Sequence, residues 1–154
     1  SCTPTMIEKY RARVSGPLLD RIDIHLAVPA VAWRDLTGDE AGEPSAAIRA
    51  RVESARARQR ERFAERAPTP RYTGVHCNAH LGSRLLRRHC RTTPAGEELL
   101  RTAVTRLGLS ARAYHRVLKI SRTIADLAGS EGLEPAHIGE AIQYRTLDRT
   151  REAA

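Results

Sequence analysis

Three stretches in the C-terminal half each carry a start signal, an apolar stripe and a stop signal, and together they constrain the fold more than any other feature. Thr93 is a good capping residue, Pro94 opens the helix behind it, Leu100, Ala103, Val104 and Leu107 form its face, and Gly108 stops it. Ser110 caps the next, with Ala113, Val117, Ile120, Ile124, Leu127 and Ala128 inward and Gly129 at its end; Pro135 opens the last, with Ile138, Ala141 and Ile142 apolar. A weaker pattern predicts a short helix over 83–90. Upstream, Ser45 reads as the N-cap of a long helix with Ile48, Val52, Ala55 and Phe63 along one side. Its other faces are crowded with Arg49, Arg51, Arg56, Arg58, Arg60, Arg62 and Arg66, and Pro68 and Pro70 end it in a loop over 67–74. From Ser45 onward the expectation is a bundle of four or five helices. Composition agrees: aromatics are only 4%, and Ala, Leu and Arg, all good helix formers, dominate.

The N-terminal quarter is different. In 22–28, Ile22, Ile24, Leu26 and Val28 alternate with smaller or polar residues, and Pro29 closes the run, which predicts a β-strand. A single strand cannot make a sheet, so either its partners lie elsewhere or the alternation is not a strand. A short helix around Pro4 to Arg13 and a turn at Ser15-Gly16-Pro17 precede it, and 31–44, rich in Gly, Asp, Glu and Thr, reads as a linker. The expected division is 1–30, the linker 31–44, the bundle 45–148 and a tail 149–154. Residues 1–40 are expected to be loosely packed beside a well-folded bundle over 45–147. The start at Ser1 fits a piece of something longer.

The balance of 26 Lys+Arg against 18 Asp+Glu gives +8, with Lys9 and Lys119 the only lysines. Such a surplus favours phosphate-bearing partners through Arg forks and steering; the competing account is a set of solvated helix faces. The arginines of the long helix could touch DNA phosphates, but stacking aromatics are nearly absent there, which argues against single-strand binding. Cys2, Cys77 and Cys90 form no disulfide framework, no apolar run is long enough to span a membrane, and a soluble cytoplasmic protein is expected. His76, Cys77, His80, His89 and Cys90 are zinc-ligand types, yet adjacent His-Cys pairs diverge and their spacing fits no closed template, so no metal is expected.

Several separated segments carry a resemblance. These are Ser15-Gly16-Pro17-Leu18-Leu19-Asp20-Arg21-Ile22-Asp23, Gly42-Glu43-Pro44-Ser45 with Ile48-Arg49, and Asn78-Ala79-x-Leu81. With them stand Ser110-Ala111-Arg112-Ala113-Tyr114-His115-Arg116 and Arg122-Thr123-Ile124-Ala125-Asp126-Leu127. In this order, over 2–148, the chain resembles the magnesium-chelatase-like AAA+ ATPases, most closely their ComM type, which is linked to DNA processing in natural transformation. The resemblance implies a mainly α fold: a C-terminal helical lid bundle preceded by the last strand of an α/β ATPase core. The chain has neither a G-x-x-x-x-G-K-[ST] loop nor an apolar run ending in paired carboxylates. By itself it should neither hydrolyse ATP nor hold bound nucleotide.

The resemblance implies that Arg21 is an arginine finger reaching a neighbouring subunit's γ-phosphate, and that Arg112 is the sensor-2 arginine on ATP phosphate. Arg112 suits that role because it falls in the first turn of a helix, whose end is positive. Arg116 and Lys119 follow on the same stripe at i+4 and i+7, with Arg116 a weaker phosphate candidate. Cys2 resembles the last cysteine of a Cys-rich insertion and should be a free thiol. Implied partners are ATP with Mg2+ in the full-length protein, further copies of the chain in a hexameric ring, and DNA. Two alternatives stand beside this: the ATPase subunit of a chelatase inserting magnesium into porphyrin, and a stand-alone basic helical DNA-binding module.

Overall fold

The computed structural model describes residues 3–19, 21–31, 33, 37, 42–64 and 75–145. Cys2, Asp20, Arg66, the loop 67–74 and the tail 149–154 lie outside the described residues. The helices are α1 (Pro4–Arg11), α2 (Gly16–Leu19), α3 (Ser45–Ala64), α4 (Ser83–His89), α5 (Pro94–Leu107), α6 (Ala111–Leu127) and α7 (Pro135–Gln143), with a 3-10 turn at Asn78–His80. None among the described residues is long and apolar enough to cross a membrane.

The predicted punctuation of the last three helices is realised atom by atom. The Thr93 hydroxyl accepts from the Gly96 N–H at 3.2 Å, and Pro94 stands at the first helical position. The Ser110 hydroxyl accepts from the Ala113 N–H at 3.1 Å. Gly108 and Gly129 adopt left-handed φ of 55° and 76°, conformations a side chain resists. Beyond Gly129, Ser130 N–H donates to the Ala125 carbonyl at 2.8 Å and Gly129 N–H to that of Asp126 at 3.2 Å, a Schellman stop for α6. Glu134 caps α7, its N–H donating to His137 Nδ1 at 3.1 Å. A parallel bridge between Thr92 and Leu133 sets α5 and α7 starting side by side. There Ile138 Cδ1 comes within 2.7 Å of where a Cβ on Gly96 would stand, so glycine lets the first turn of α5 approach α7.

The core is built around α6, which is enclosed on most of its circumference. Ala113, Val117, Leu118, Ile120 and Ala125 of α6 meet Leu100 and Ala103 of α5, Ile138, Ala141 and Ile142 of α7, and Leu81, Leu85 and Leu86 from the 3-10 turn and α4. Burial of one such Leu or Ile is worth about 1.5–3 kcal/mol. Leu127 and Ala128, expected inward, are exposed. In their place Ser121, Arg122 and Asp126 are buried, because α3 covers the side of α6 that a free helix would show to water.

The reading of α3 needs the largest correction. Ser45 is its first residue, with Pro44 supplying the carbonyl that accepts from Ala47 and Ile48 N–H. Ile48 and Val52 are 42% and 45% exposed. The inward stripe is instead Ala55, Arg58, Gln59, Arg62 and Phe63, at i, i+3, i+4, i+7 and i+8. Arg58 lies over Gly129 and Arg62 over Asp126, so α3 runs antiparallel to α6.

Arg62 forks onto Asp126, Nη1 donating to Oδ2 at 2.8 Å and Nη2 to Oδ1, while Nη1 also reaches Asn78 Oδ1 at 3.1 Å. From the other side Arg122 Nε donates to Asp126 Oδ1 at 3.1 Å, and its Nη1 and Nη2 donate to the carbonyls of Glu131 and Ser130, both at 2.6 Å. Asn78 Nδ2 completes the shell, donating to Asp126 Oδ2 at 2.8 Å and Thr123 Oγ1 at 3.1 Å. Arg122, Asp126 and Asn78 are at most 2% exposed.

The predicted strand is not formed. Among the described residues no strand occurs, and 22–31 is extended backbone without a ladder. Alternating apolar residues favour extension, but a strand needs a partner edge, and the described bundle offers only helices. Between 3 and 31 only His25 is buried among the described residues; Met6, Tyr10, Leu26 and Val28 are all well exposed.

Asp126→Ala should cost about 3–5 kcal/mol in urea unfolding, because it leaves two guanidinium groups in the interior without their shared counterion. Acid should do the same to the wild type. Burial alone would raise the Asp126 pKa, but hydrogen bonds from Arg62 and Asn78 and the charges of Arg122 and Arg62 outweigh it and hold the carboxyl below its usual range. A folded value below the unfolded one gives stability that is fully present above about pH 4 and lost as pH falls through the folded value. The urea midpoint should therefore drop more steeply below about pH 4 in the wild type than in Asp126→Asn.

Candidate functional site

Ser15 starts the tight turn that carries Arg21. Its carbonyl accepts from Leu18 and Leu19 N–H, and Arg21 N–H donates to the Leu18 carbonyl at 2.9 Å. Arg21 is exposed, and its Nη1 donates to the Pro17 carbonyl at 3.2 Å. No carboxylate among the described residues pairs with it; Asp23, a neighbour that could have done so, is turned to Arg116.

Three interactions fasten 22–25 to the bundle. Asp23 forms an ion pair with Arg116 of α6, His25 N–H donates to the Tyr144 carbonyl at 2.8 Å, and the buried Arg145 guanidinium donates to the Ile22 carbonyl. The segment thus binds through its backbone and one acid, not through its alternating apolar side chains. The His25 ring is enclosed here, 5% exposed, with no hydrogen-bond partner for either nitrogen among the described residues.

Arg112 is the second residue of α6, exposed and without an ion-pair partner among the described residues. It sits where the first N–H groups of a 17-residue helix give a positive end. One turn on, Arg116 is engaged by Asp23. One further turn on, Lys119 Nζ donates to the Ala79 carbonyl at 2.7 Å; burial and the nearby Arg116 charge lower its pKa. The stripe of Arg112, Arg116 and Lys119 is therefore no uniform solvated face: its first member is open, the second holds the N-terminal segment, and the third holds the 3-10 turn. Arg21 is two residues from Asp23, and Arg112 is one helical turn, about 5.4 Å, from Arg116. The Asp23–Arg116 pair so ties the segment that carries Arg21 to the helix that carries Arg112.

The His and Cys residues take other parts. His76 and His80 meet edge to face at 6.3 Å, His89 packs edge-on against Phe63 at 6.2 Å, and Cys90 is buried. Among the described residues no three His, Cys, Asp or Glu side chains converge as metal ligands would. The roles of Asp23 and His25 are not legible from the sequence. The one available signal is their position at and just beyond the end of the motif that closes with Asp23.

Similarity to known proteins covers nearly the whole chain. Residues 42–145 match the family described as magnesium chelatase, subunit ChlI C-terminal, and residues 1–36 match magnesium chelatase, subunit ChlI. Competence protein ComM of Haemophilus influenzae is 40% identical over 149 residues, 96% of this chain. The uncharacterized protein YifB of Escherichia coli is 37% identical over 96%, and an uncharacterized protein of Mycobacterium bovis 31% identical over 97%. The chain spans only 27% of the length of the first two and 28% of the third.

Burial pushes the Cys90 thiol up to about 11, so near pH 8 only about a thousandth of it is thiolate. Cys77 is partly exposed. Iodoacetamide should therefore label Cys77 well before Cys90 in native protein, as read by peptide mass mapping, and unfolding in urea should abolish the difference.

Proposed function

Because the chain belongs to the magnesium chelatase subunit ChlI family, we propose that it is the helical lid and arginine-finger part of a ring-forming AAA+ ATPase that processes DNA. The observation that supports this reading is the Asp23–Arg116 ion pair, which ties the segment bearing the exposed Arg21 to the helix bearing the exposed Arg112. Some surface arginines are paired, as Arg51 is with Glu43 and Arg101 with Glu98. Arg21 and Arg112 have no ion-pair partner among the described residues.

The chemistry follows from a guanidinium's fixed charge and planar fork of donors. Arg112, on the first turn of α6, would hold phosphate oxygens from the lid side, with the helix end adding to its field. Arg21, on a short rigid turn, would reach the γ-phosphate bound by a neighbouring copy and offset the charge that develops as the phosphoryl group departs. Neither residue bonds to the phosphorus; both act by position and charge. A phosphate-cradling glycine loop and paired magnesium-binding carboxylates are not in this sequence, so ATP and Mg2+ would be held chiefly by other parts of the assembly. The buried network matters because it gives the lid a rigid body, so that a shift of α6 on nucleotide binding would carry the N-terminal segment with it through Asp23.

The DNA part of the reading is supported by the printed name of the Haemophilus relative, a competence protein, and by the arginine surplus. The family's description as magnesium chelatase favours a second substrate, a porphyrin receiving magnesium. ATPase assays of the full-length protein with and without single-stranded and branched DNA separate them. Stimulation that weakens with salt supports DNA; turnover that responds to porphyrin and not to DNA overturns it. In the same protein, Arg21→Ala should lower ATP turnover about 10³-fold or more, and Arg112→Ala should also lower it, with the thermal melting of this chain unchanged. Wild-type turnover in both variants would refute the assignment.

A further inference from the structure

Helix α4 presents an unneutralised row of arginines. Leu85, Leu86 and Cys90 are buried in the core, and His89 is wedged edge-on against Phe63 of α3, which fixes the rotation of the helix. Arg84, Arg87 and Arg88 stand at i, i+3 and i+4 on the opposite face, and Arg91 follows beyond the helix end; all four are exposed. None of the four has an ion-pair partner among the described residues, and no Asp or Glu occurs anywhere from 66 to 96. The arginines of α3 are more numerous, and Arg49, Arg56 and Arg60 also lack an ion-pair partner among the described residues, but they share their helix with Glu53 and Glu61, while Arg51 is paired to Glu43 and the half-buried Arg62 to Asp126.

We propose that this outer face of α4, and not the arginine-rich α3, is a docking surface for the phosphate backbone of duplex DNA. From Arg84 to Arg88 the row is about 6 Å long, enough to meet about two neighbouring phosphates of one strand. Guanidinium forks suit phosphate oxygens and require no base sequence. No exposed aromatic ring stands on α4, so the face offers nothing on which unpaired bases would stack. The choice of DNA rests on the reading above, whereas the unneutralised patch stands without it. The two fail separately, since that reading is judged by ATP turnover and this one by equilibrium binding.

The test is fluorescence anisotropy of a labelled DNA duplex titrated with the 154-residue chain across a salt series. Replacing Arg84→Gln, Arg87→Gln and Arg88→Gln together should weaken binding roughly tenfold or more at low salt and make the salt dependence shallower by roughly 0.9 for each phosphate no longer neutralised. An equal change of charge on α3, Arg49→Gln, Arg56→Gln and Arg60→Gln, should leave the salt slope near wild type. Neither set removes a residue from the core, so melting temperatures should match the wild type. Equal losses in both sets would overturn the proposal, as would no duplex binding by the wild type. Loss of binding to phosphatidylserine vesicles in the α4 variant, with duplex binding retained, would likewise overturn the choice of DNA.

Discussion

One carboxylate, Asp126, holds this bundle in register. It takes the forked guanidinium of Arg62 from α3, the Nε of Arg122 from its own helix and the amide of Asn78 from the 3-10 turn. Arg122 in turn satisfies two carbonyls of the loop that follows α6. Each group would be costly if left alone in the interior, and each is tolerable only because the others are in place. The consequence is positional. An apolar stripe on α3 could slide along α6 with little change in energy, whereas a bidentate fork onto one carboxylate permits one alignment. That alignment also seats Phe63 against His89, and so decides which side of α4 faces water.

The N-terminal segment is attached by a different principle. It buries almost none of its apolar side chains and is held by the Asp23–Arg116 pair and by two hydrogen bonds at its backbone. An ion pair with one partner at the surface contributes little, about 0–1 kcal/mol, so the attachment positions the segment more than it stabilises the fold. Arg116 joins that segment to the same helix that presents Arg112.

How much of this was legible in the residues depends on the kind of information involved. The helix starts and stops at Thr93, Ser110, Gly108, Gly129 and Pro135 are local, since a cap or a left-handed glycine acts on atoms within a few residues. The mainly helical class could be read from them, and the family resemblance was carried by short contiguous motifs. The failures share a cause. Ile48 and Val52 looked inward because they are apolar, and Arg62 looked solvated because it is charged, but both depend on what α6 places opposite. Alternation in 22–28 predicts a strand, yet a ladder is a property of two strands, and among the described residues this backbone bonds to Tyr144 and Arg145 instead.

The helices and their ends are therefore written in the residues, because short-range sterics and hydrogen bonding carry them, and the kinship of the chain is written in its contiguous motifs. Which arginines are enclosed, which are paired and which have no partner among the described residues follows from the folded chain alone. Burial, pairing and openness depend on partners far apart along the chain: Arg62 with Asp126, Asp23 with Arg116, His89 with Phe63. A guanidinium's role is set by what stands across from it, and that is fixed only once the chain has folded.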